Sequence, residues 1–238
     1  MHLLNLHWNR QHLSYLLTYR PAIMDSLIKH GPYANKLLLN AIYFQSSLYS
    51  NRICSAGWIF CGIAYRMITD LGCHLDIPHS ASDAELTAID MEIRRRVYWG
   101  AYVGDKFQSL FLGRPPAMLE SAGKVSREYL DSYEELEMWT PYVDPLVESS
   151  DATVPAYPGR PSYALSTFRS LLQLCDIAAR IIDAFYSINS AEISQDALLE
   201  TRHDVREQLS QWKNNLSLWL KYDPSTQPTP PPHQVTPQ

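Results

Sequence analysis

The first residues that could carry chemistry are four carboxylate and imidazole side chains at close spacing, namely Asp70, His74, Asp76 and His79. Asp70 and His74 are four residues apart, so a continuous helix would place them on one face. Carboxylate and imidazole ligands suit zinc or iron. Gly72 favours a helix end instead, because glycine accepts the positive φ of a C-terminal cap. We favour this second interpretation, in which His74 caps free carbonyls and complements the helix dipole.

Three consecutive arginines, Arg94 to Arg96, form the densest positive charge in the sequence. Such a run can bind phosphate or direct nuclear import, but Glu92 lies at helical spacing for ordinary ion pairs. On a helix the three side chains fan over roughly 200°, so at least one lies near the apolar face. We expect that arginine to pair inside the fold with a distant carboxylate, for which Asp105 is a candidate.

The motif Gly113-Arg114-Pro115-Pro116 is typical of a tight helix exit. A phosphate loop would require more glycines ahead of a helix start. Arg114 is expected to cap carbonyls of the preceding helix or to pair with Asp105.

No nucleophile motif accompanies these residues. The sequence has no G-x-S-x-G elbow, and His7 and His12, five residues apart, do not share a helix face well. The alternative enzymatic hypothesis is a metal-dependent lyase or hydrolase built on Asp70, His74 and Asp76. It requires these three side chains to converge on one point.

Composition excludes several classes of function. The 238 residues carry 20 Lys and Arg against 25 Asp and Glu, a net charge of −5. This argues against the broad basic surface that nucleic-acid backbones require. The 4 cysteines include no C-x-x-C pair, which excludes a zinc finger of that type. The longest uncharged apolar stretch, residues 53–65, is too short to span a bilayer.

Helical periodicity fills the blocks between the prolines and predicts an all-α fold. We predict helices over 1–10, 36–48 and 55–71, a helix from a Ser82–Glu85 capping box to Leu112–Gly113, and two helices carrying the stripes Phe168–Phe185 and Leu198–Trp219. Gly100 and Gly104 share one face of the fourth helix, which predicts the close approach of a neighbouring helix. The expected architecture is an irregular helical bundle over residues 1–221 with a proline-rich surface loop at about 112–165. The proline-rich tail, 222–238, is predicted to be disordered.

Several of these segments form an ordered series along the first half of the chain. The series comprises His2–Trp8, Tyr19–Ala22, Lys36–Ile42, Gly62–His74, Glu92–Trp99, Asp105-Lys106 and Gly113–Pro115. Taken together, they resemble the regulatory domain of fungal transcription factors whose DNA-binding part is a six-cysteine binuclear zinc cluster, the fungal-specific or xylanolytic-activator type. The positions that match the motifs of this family are Arg66, Asp70, Gly72, His74, Glu92, Arg94, Arg95, Arg96, Trp99, Asp105, Gly113, Arg114 and Pro115.

The resemblance implies a nuclear regulatory and interaction domain that acts in transcription and is not an enzyme. In the family, DNA contact and zinc belong to the six-cysteine cluster. The 4 cysteines here cannot build that cluster, so we expect no cofactor in this chain and no family-type DNA contact. The short connection near Asn51 and the Pro228–His233 connector interrupt the family's series of helices. We therefore interpret the chain as a fragment or shortened relative, with a remnant that lacks independent activity as a further alternative.

An exposed apolar surface is also expected. The helices predicted at 36–48 and 55–71 are apolar over most of their circumference, and such helices must be covered on every side. Without further helices to cover them, a patch larger than a few hundred Å² should remain exposed. Such a patch would favour self-association or binding of a protein partner.

Overall fold

The computed structural model describes residues 2–34, 38–39, 42, 54–76, 86–119, 123–130, 133–141, 157–187, 193–223, 225, 229–235 and 237. Within them the protein is mostly helical with a small antiparallel sheet, which confirms the all-α fold class. The helices are α1 (His2–Leu6), α2 (Leu13–Tyr15), α3 (Arg20–Lys29), α4 (Cys54–Asp70), α5 (Ala88–Leu112), α6 (Ala164–Tyr186), α7 (Gln195–Asn215) and α8 (Pro232–Val235). A π-helical segment, His7–His12, joins α1 to α2, and the strands are β1 (Met138–Trp139) and β2 (Arg160–Pro161).

Helix α5 is the central element, and its start differs from the prediction. The capping box is formed by Thr87 and Asp90: the Thr87 hydroxyl accepts from the Asp90 N–H at 3.1 Å, and the Asp90 carboxylate accepts from the Thr87 N–H at 3.0 Å. The predicted box at 82–85 lies outside the described residues, and the helix begins only at Ala88. The predicted end is confirmed, because Gly113 follows Leu112 with a φ of +62°.

Helix α4 also ends where the sequence indicates. It runs over Cys54–Asp70, and Gly72 has the positive φ, +67°, that was expected of a C-terminal cap. Most of the helix predicted at 36–48 lies outside the described residues. The short helix predicted at 1–10 is longer than expected, because the π-helical segment continues it to α2.

The core forms where α5 packs between α4 and α6, with α7 against the other side of α6. Tyr102 and Val103 of α5 meet Phe168 and Leu172 of α6, and these four side chains are fully buried. The close helix approach predicted at Gly104 is looser than expected, since an added Cβ would lie 3.8 Å from the Tyr65 hydroxyl oxygen. The core therefore holds α5 rigidly, and with it the charged side chains that α5 carries.

The prediction of disorder for the C-terminal tail is wrong over 229–235. Residues 229–235 pack against β2 and α6, with His233 and Gln234 at most 4% exposed. His233 Nε2 donates to the Ser162 carbonyl at 2.6 Å, and Gln234 Nε2 donates to the same oxygen at 2.7 Å. The segment is therefore held by burial of Pro231 as well as by these two side-chain donors.

Replacing Gly123 by alanine is expected to lower the free energy of unfolding by about 1–3 kcal/mol. An added Cβ would overlap the Tyr98 hydroxyl and lie 3.1 Å from the His74 carbonyl oxygen. Urea denaturation measures the loss, and Tyr98→Phe in the same background should recover part of it. Gly104→Ala is the control, and an equal loss at Gly104 would contradict the close contact.

Candidate functional site

The three arginines of α5 make three different contacts. Arg94 donates to the carbonyls of Leu71 and Gly72, at 3.2 and 2.6 Å, and so holds the turn that follows α4. Arg95 forms a bidentate pair with Asp76 at 3.1 and 3.2 Å. Arg96 is fully buried. The prediction that one of the three pairs inside the fold is confirmed, and the run does not form one continuous surface patch.

Arg96 lies at the centre of a buried ion cluster made of His12, Glu92, Arg96 and Glu134. Its Nε donates to Glu92 Oε1 at 2.6 Å, and its Nη1 donates to Glu134 Oε2 at 2.7 Å. His12 Nε2 contacts the other Glu134 oxygen at 2.8 Å. All four side chains are at most 2% exposed. The i,i+4 pair with Glu92 is confirmed, whereas the distant carboxylate is Glu134 and not the candidate Asp105.

Backbone groups satisfy the rest of the cluster. Arg96 Nη2 donates to the Leu130 carbonyl at 3.2 Å, and Glu92 Oε2 accepts from the Leu130 N–H at 2.9 Å. The guanidinium carbon lies 4.9 Å from the centre of the Tyr19 ring. Buried charges are tolerated only when their hydrogen bonds are satisfied, and here α5, the segment around Tyr19 and the loop at 130–134 supply the partners.

Two titratable groups of the cluster have perturbed pKa values. Burial opposes ionisation of Glu134, but the hydrogen bond from His12 and the charge and hydrogen bond of Arg96 outweigh it and lower its pKa to about 2. Burial lowers the pKa of His12 below its ordinary value and outweighs the Glu134 carboxylate. A neutral ring that donates from Nε2 to Glu134 leaves Nδ1 to accept from the Thr18 hydroxyl at 3.1 Å. The cluster is closed to solvent, so it joins three segments of the chain rather than acting on a substrate.

Asp105 binds backbone instead of an arginine. Its two carboxylate oxygens accept from the N–H groups of Ala117 and Met118 at 3.0 and 2.9 Å. Lys106, 2% exposed, donates to Asp105 at 3.2 Å and to the Met118 carbonyl. This pair therefore fixes the chain that follows Gly113, which explains an Asp-Lys dipeptide near the end of α5.

The remaining motif residues lie around the same helix. Trp99 Nε1 donates to the Ser126 carbonyl at 2.9 Å, and Arg127 covers the Trp99 ring at 4.4 Å. The Arg114 guanidinium carbon lies 5.2 Å from the centre of the Trp58 ring. The predicted alternative, a pair between Arg114 and Asp105, is not formed. Pro115 is exposed after the helix end, and Arg66 is exposed on α4.

The proposed metal ligands are not assembled into a site. Asp76 is occupied by Arg95 and by the Ser126 N–H at 2.8 Å, while Asp70 is exposed. Among the described residues, no three His, Cys, Asp or Glu side chains are grouped closely enough to hold a metal ion. His79 lies outside those residues. The helix-end role expected of His74 is taken by Arg94, which binds the carbonyls of Leu71 and Gly72 directly after α4.

One face of α4 points away from the core. Ile63, Met67 and Leu71 follow one another at four-residue steps and are 47%, 55% and 63% exposed. Beside them lies an open groove of about 790 Å³, lined by Trp58, Ile63, Arg66, His74, Met118 and Leu119 among others. We call Ile63 and Met67 of α4, together with Leu71 directly after it, the outer face of α4. The sequence showed this stripe as apolar, and the structure shows that it is exposed.

The second glutamate of the cluster, Glu134, could not be predicted from the sequence. Glu134 lies 38 positions from Arg96, in a loop whose composition gave no sign of burial. Its neighbour His12 was considered only as a metal or catalytic residue. The one available signal was the expectation that an arginine facing the core requires a carboxylate.

In the part of the chain that the structure covers, no helix has the length and apolar character to cross a membrane.

An all-α fold organised around an arginine-bearing central helix is consistent with the resemblance noted in the sequence. Residues 10–214 match the family described as the fungal specific transcription factor domain, and the chain belongs to this family. The protein is therefore similar to fungal transcription regulators.

Three relatives illustrate the similarity. The nitrogen assimilation transcription factor nirA of Emericella nidulans is 29% identical over 162 residues, which cover 67% of this chain and 17% of the relative. The nitrogen assimilation transcription factor nit-4 of Neurospora crassa is 28% identical over 162 residues, 67% of this chain and 14% of the relative. An ABC-transporter-regulating transcription factor of Aspergillus fumigatus is 27% identical over 155 residues, which cover 65% of this chain and 15% of the relative. The aligned part thus spans less than a fifth of each relative. No solved structure matches the chain.

Proposed function

We propose that this chain is the regulatory and interaction domain of a nuclear fungal transcription factor. The observation that carries the proposal is the family match over residues 10–214, which includes α2 to α7 and the buried ion cluster. We propose that DNA binding is carried by a six-cysteine zinc cluster outside this chain, and that the chain itself uses no metal or cofactor.

The disposition of the arginines supports a role without direct DNA contact. Phosphate contacts require accessible Lys and Arg side chains, whereas Arg96 is buried and Arg95 is paired with Asp76. The net charge of −5 acts in the same direction. We propose no enzymatic activity, because Glu134, His12 and His233, whose pKa values are all lowered, are buried away from any substrate.

Contacts with protein partners are the proposed activity of the domain, and the outer face of α4 is the surface that supports them. Exposed apolar side chains at four-residue steps on one helix are typical of a helix-packing surface.

A fusion of this chain to an unrelated DNA-binding domain is expected to change transcription of a reporter gene. The chain alone should show no submicromolar, sequence-selective DNA binding when measured by fluorescence polarisation at physiological salt. Ile63→Ser with Met67→Ser should weaken the reporter effect and any self-association seen by light scattering. Ile28→Ser, at a position 76% exposed on α3, is the matched control. Tight selective binding to duplex DNA by the chain alone would contradict the proposed division of roles.

A further inference from the structure

Two charged side chains lie beside the outer face of α4. Arg66 and Asp70 are four residues apart on the helix, and both are exposed. Among the residues that the structure describes, neither forms an ion pair with the other or with a third residue. Their charges are therefore accessible to a molecule that packs on this face.

Helical geometry places both charges on one flank of the apolar stripe. At about 100° per residue, Arg66 and Asp70 lie on the same side of the line through Ile63 and Met67, and both line the open groove beside α4. Leu71 continues this line, because its N–H still donates to the Met67 carbonyl at 2.9 Å. The surface thus combines an apolar stripe with a cation and an anion one turn apart on a single flank.

Such a surface is complementary to itself about a two-fold axis. When two copies of α4 pack antiparallel with Met67 at the centre, Ile63 of each copy meets Leu71 of the other. The two-fold axis keeps corresponding flanks on the same side of the helix pair, so Arg66 of one copy faces Asp70 of the other. The two residues are offset by about 3 Å along the helix axis, which a long arginine side chain spans.

We propose that the outer face of α4 binds a second copy of this chain, as an antiparallel pair of α4 helices with two Arg66–Asp70 ion pairs between the copies. This inference rests on the proposed function, because it names the partner of the surface invoked there. Exposed ion pairs add little affinity, so the apolar stripe holds the copies together and the charges select the antiparallel orientation. One helix pair buries less area than a standard interface, so the dimer is weak and forms at micromolar concentrations.

Charge reversal on the full chain tests this pairing. Light scattering over a concentration series should show the wild-type mass rising from 27.3 kDa towards twice that value. Arg66→Glu brings two carboxylates opposite each other, and Asp70→Lys brings two cations opposite each other. Each variant alone should form the dimer about tenfold more weakly or worse, because facing like charges repel. An equimolar mixture of the two variants should recover the dimer, since every acidic group then faces a basic one.

Arg206→Glu and Asp204→Lys are the matched controls, because they make the same changes of charge at exposed positions of α7. Neither should alter the mass, alone or mixed. A chain that is monomeric in every form would overturn the proposal and indicate a different protein on this face. Association that ignores both reversals, or a mixture that stays monomeric, would also overturn it.

The mass measurement is independent of the transcription assay. A monomeric chain whose fusion still changes the reporter would contradict only the pairing of two copies. A dimer that responds to the charges as expected, with no effect on the reporter, would support the pairing and contradict the proposed function.

Discussion

Replacing Arg96 by alanine is expected to lower the free energy of unfolding by about 3–5 kcal/mol, the cost of breaking a buried ion pair. The substitution leaves the carboxylates of Glu92 and Glu134 buried without their shared cation. It also removes the donor to the Leu130 carbonyl. Urea denaturation of the purified chain measures the change.

The two neighbouring arginines are matched controls on the same helix. Arg95→Ala breaks a partly exposed pair with Asp76 and should cost about 1 kcal/mol or less. Arg94→Ala removes hydrogen bonds to two carbonyls and should cost about 1 kcal/mol. Arg96→Lys retains the charge without the planar fork and should fall between Arg96→Ala and the wild type. Three equal and mild losses would show that the buried ion cluster does not stabilise the fold.

Acidification from pH 6.5 to pH 4 is expected to lower the free energy of unfolding by about 3 kcal/mol through His233 alone. Burial lowers the pKa of His233 to about 4, although its hydrogen bond to the Ser162 carbonyl opposes the shift. Between these pH values the unfolded chain binds a proton that the folded chain does not, so stability falls as the pH falls. His12, whose pKa is also lowered by burial, acts in the same direction.

Below pH 4.5 the free energy of unfolding should fall further because of Glu134. Its pKa is about 2 in the folded chain, so acid protonates this carboxylate in the unfolded chain first. Urea midpoints measured between pH 7 and pH 4 test the imidazole contribution. His233→Gln should flatten this profile, and His203→Gln, at an exposed position of α7, should leave it unchanged. An unaltered slope in His233→Gln would contradict docking of the tail through a neutral imidazole.

The part of this fold that the sequence determines is local. The end of α4 at Gly72 and the end of α5 at Gly113 follow from glycine's access to positive φ, and both were predicted. The burial of one arginine out of three follows from helical geometry and the apolar stripe of α5. The sequence does not locate the start of α5, because two Ser/Thr–acidic pairs, Ser82–Glu85 and Thr87–Asp90, compete within a few residues.

The tertiary structure alone decided which partners these residues meet. Glu134 binds Arg96 because the loop that carries it crosses α5 at that point, and spacing along the chain carries no information about such a crossing. Asp105, much closer in sequence, is directed instead to the backbone of 117–118. Composition predicted a disordered tail, yet His233 and Gln234 find the Ser162 carbonyl only because β2 presents it beside α6. Local conformation is encoded by neighbours in sequence, whereas satisfaction of a buried charge or carbonyl depends on which distant segment the packed helices bring to it.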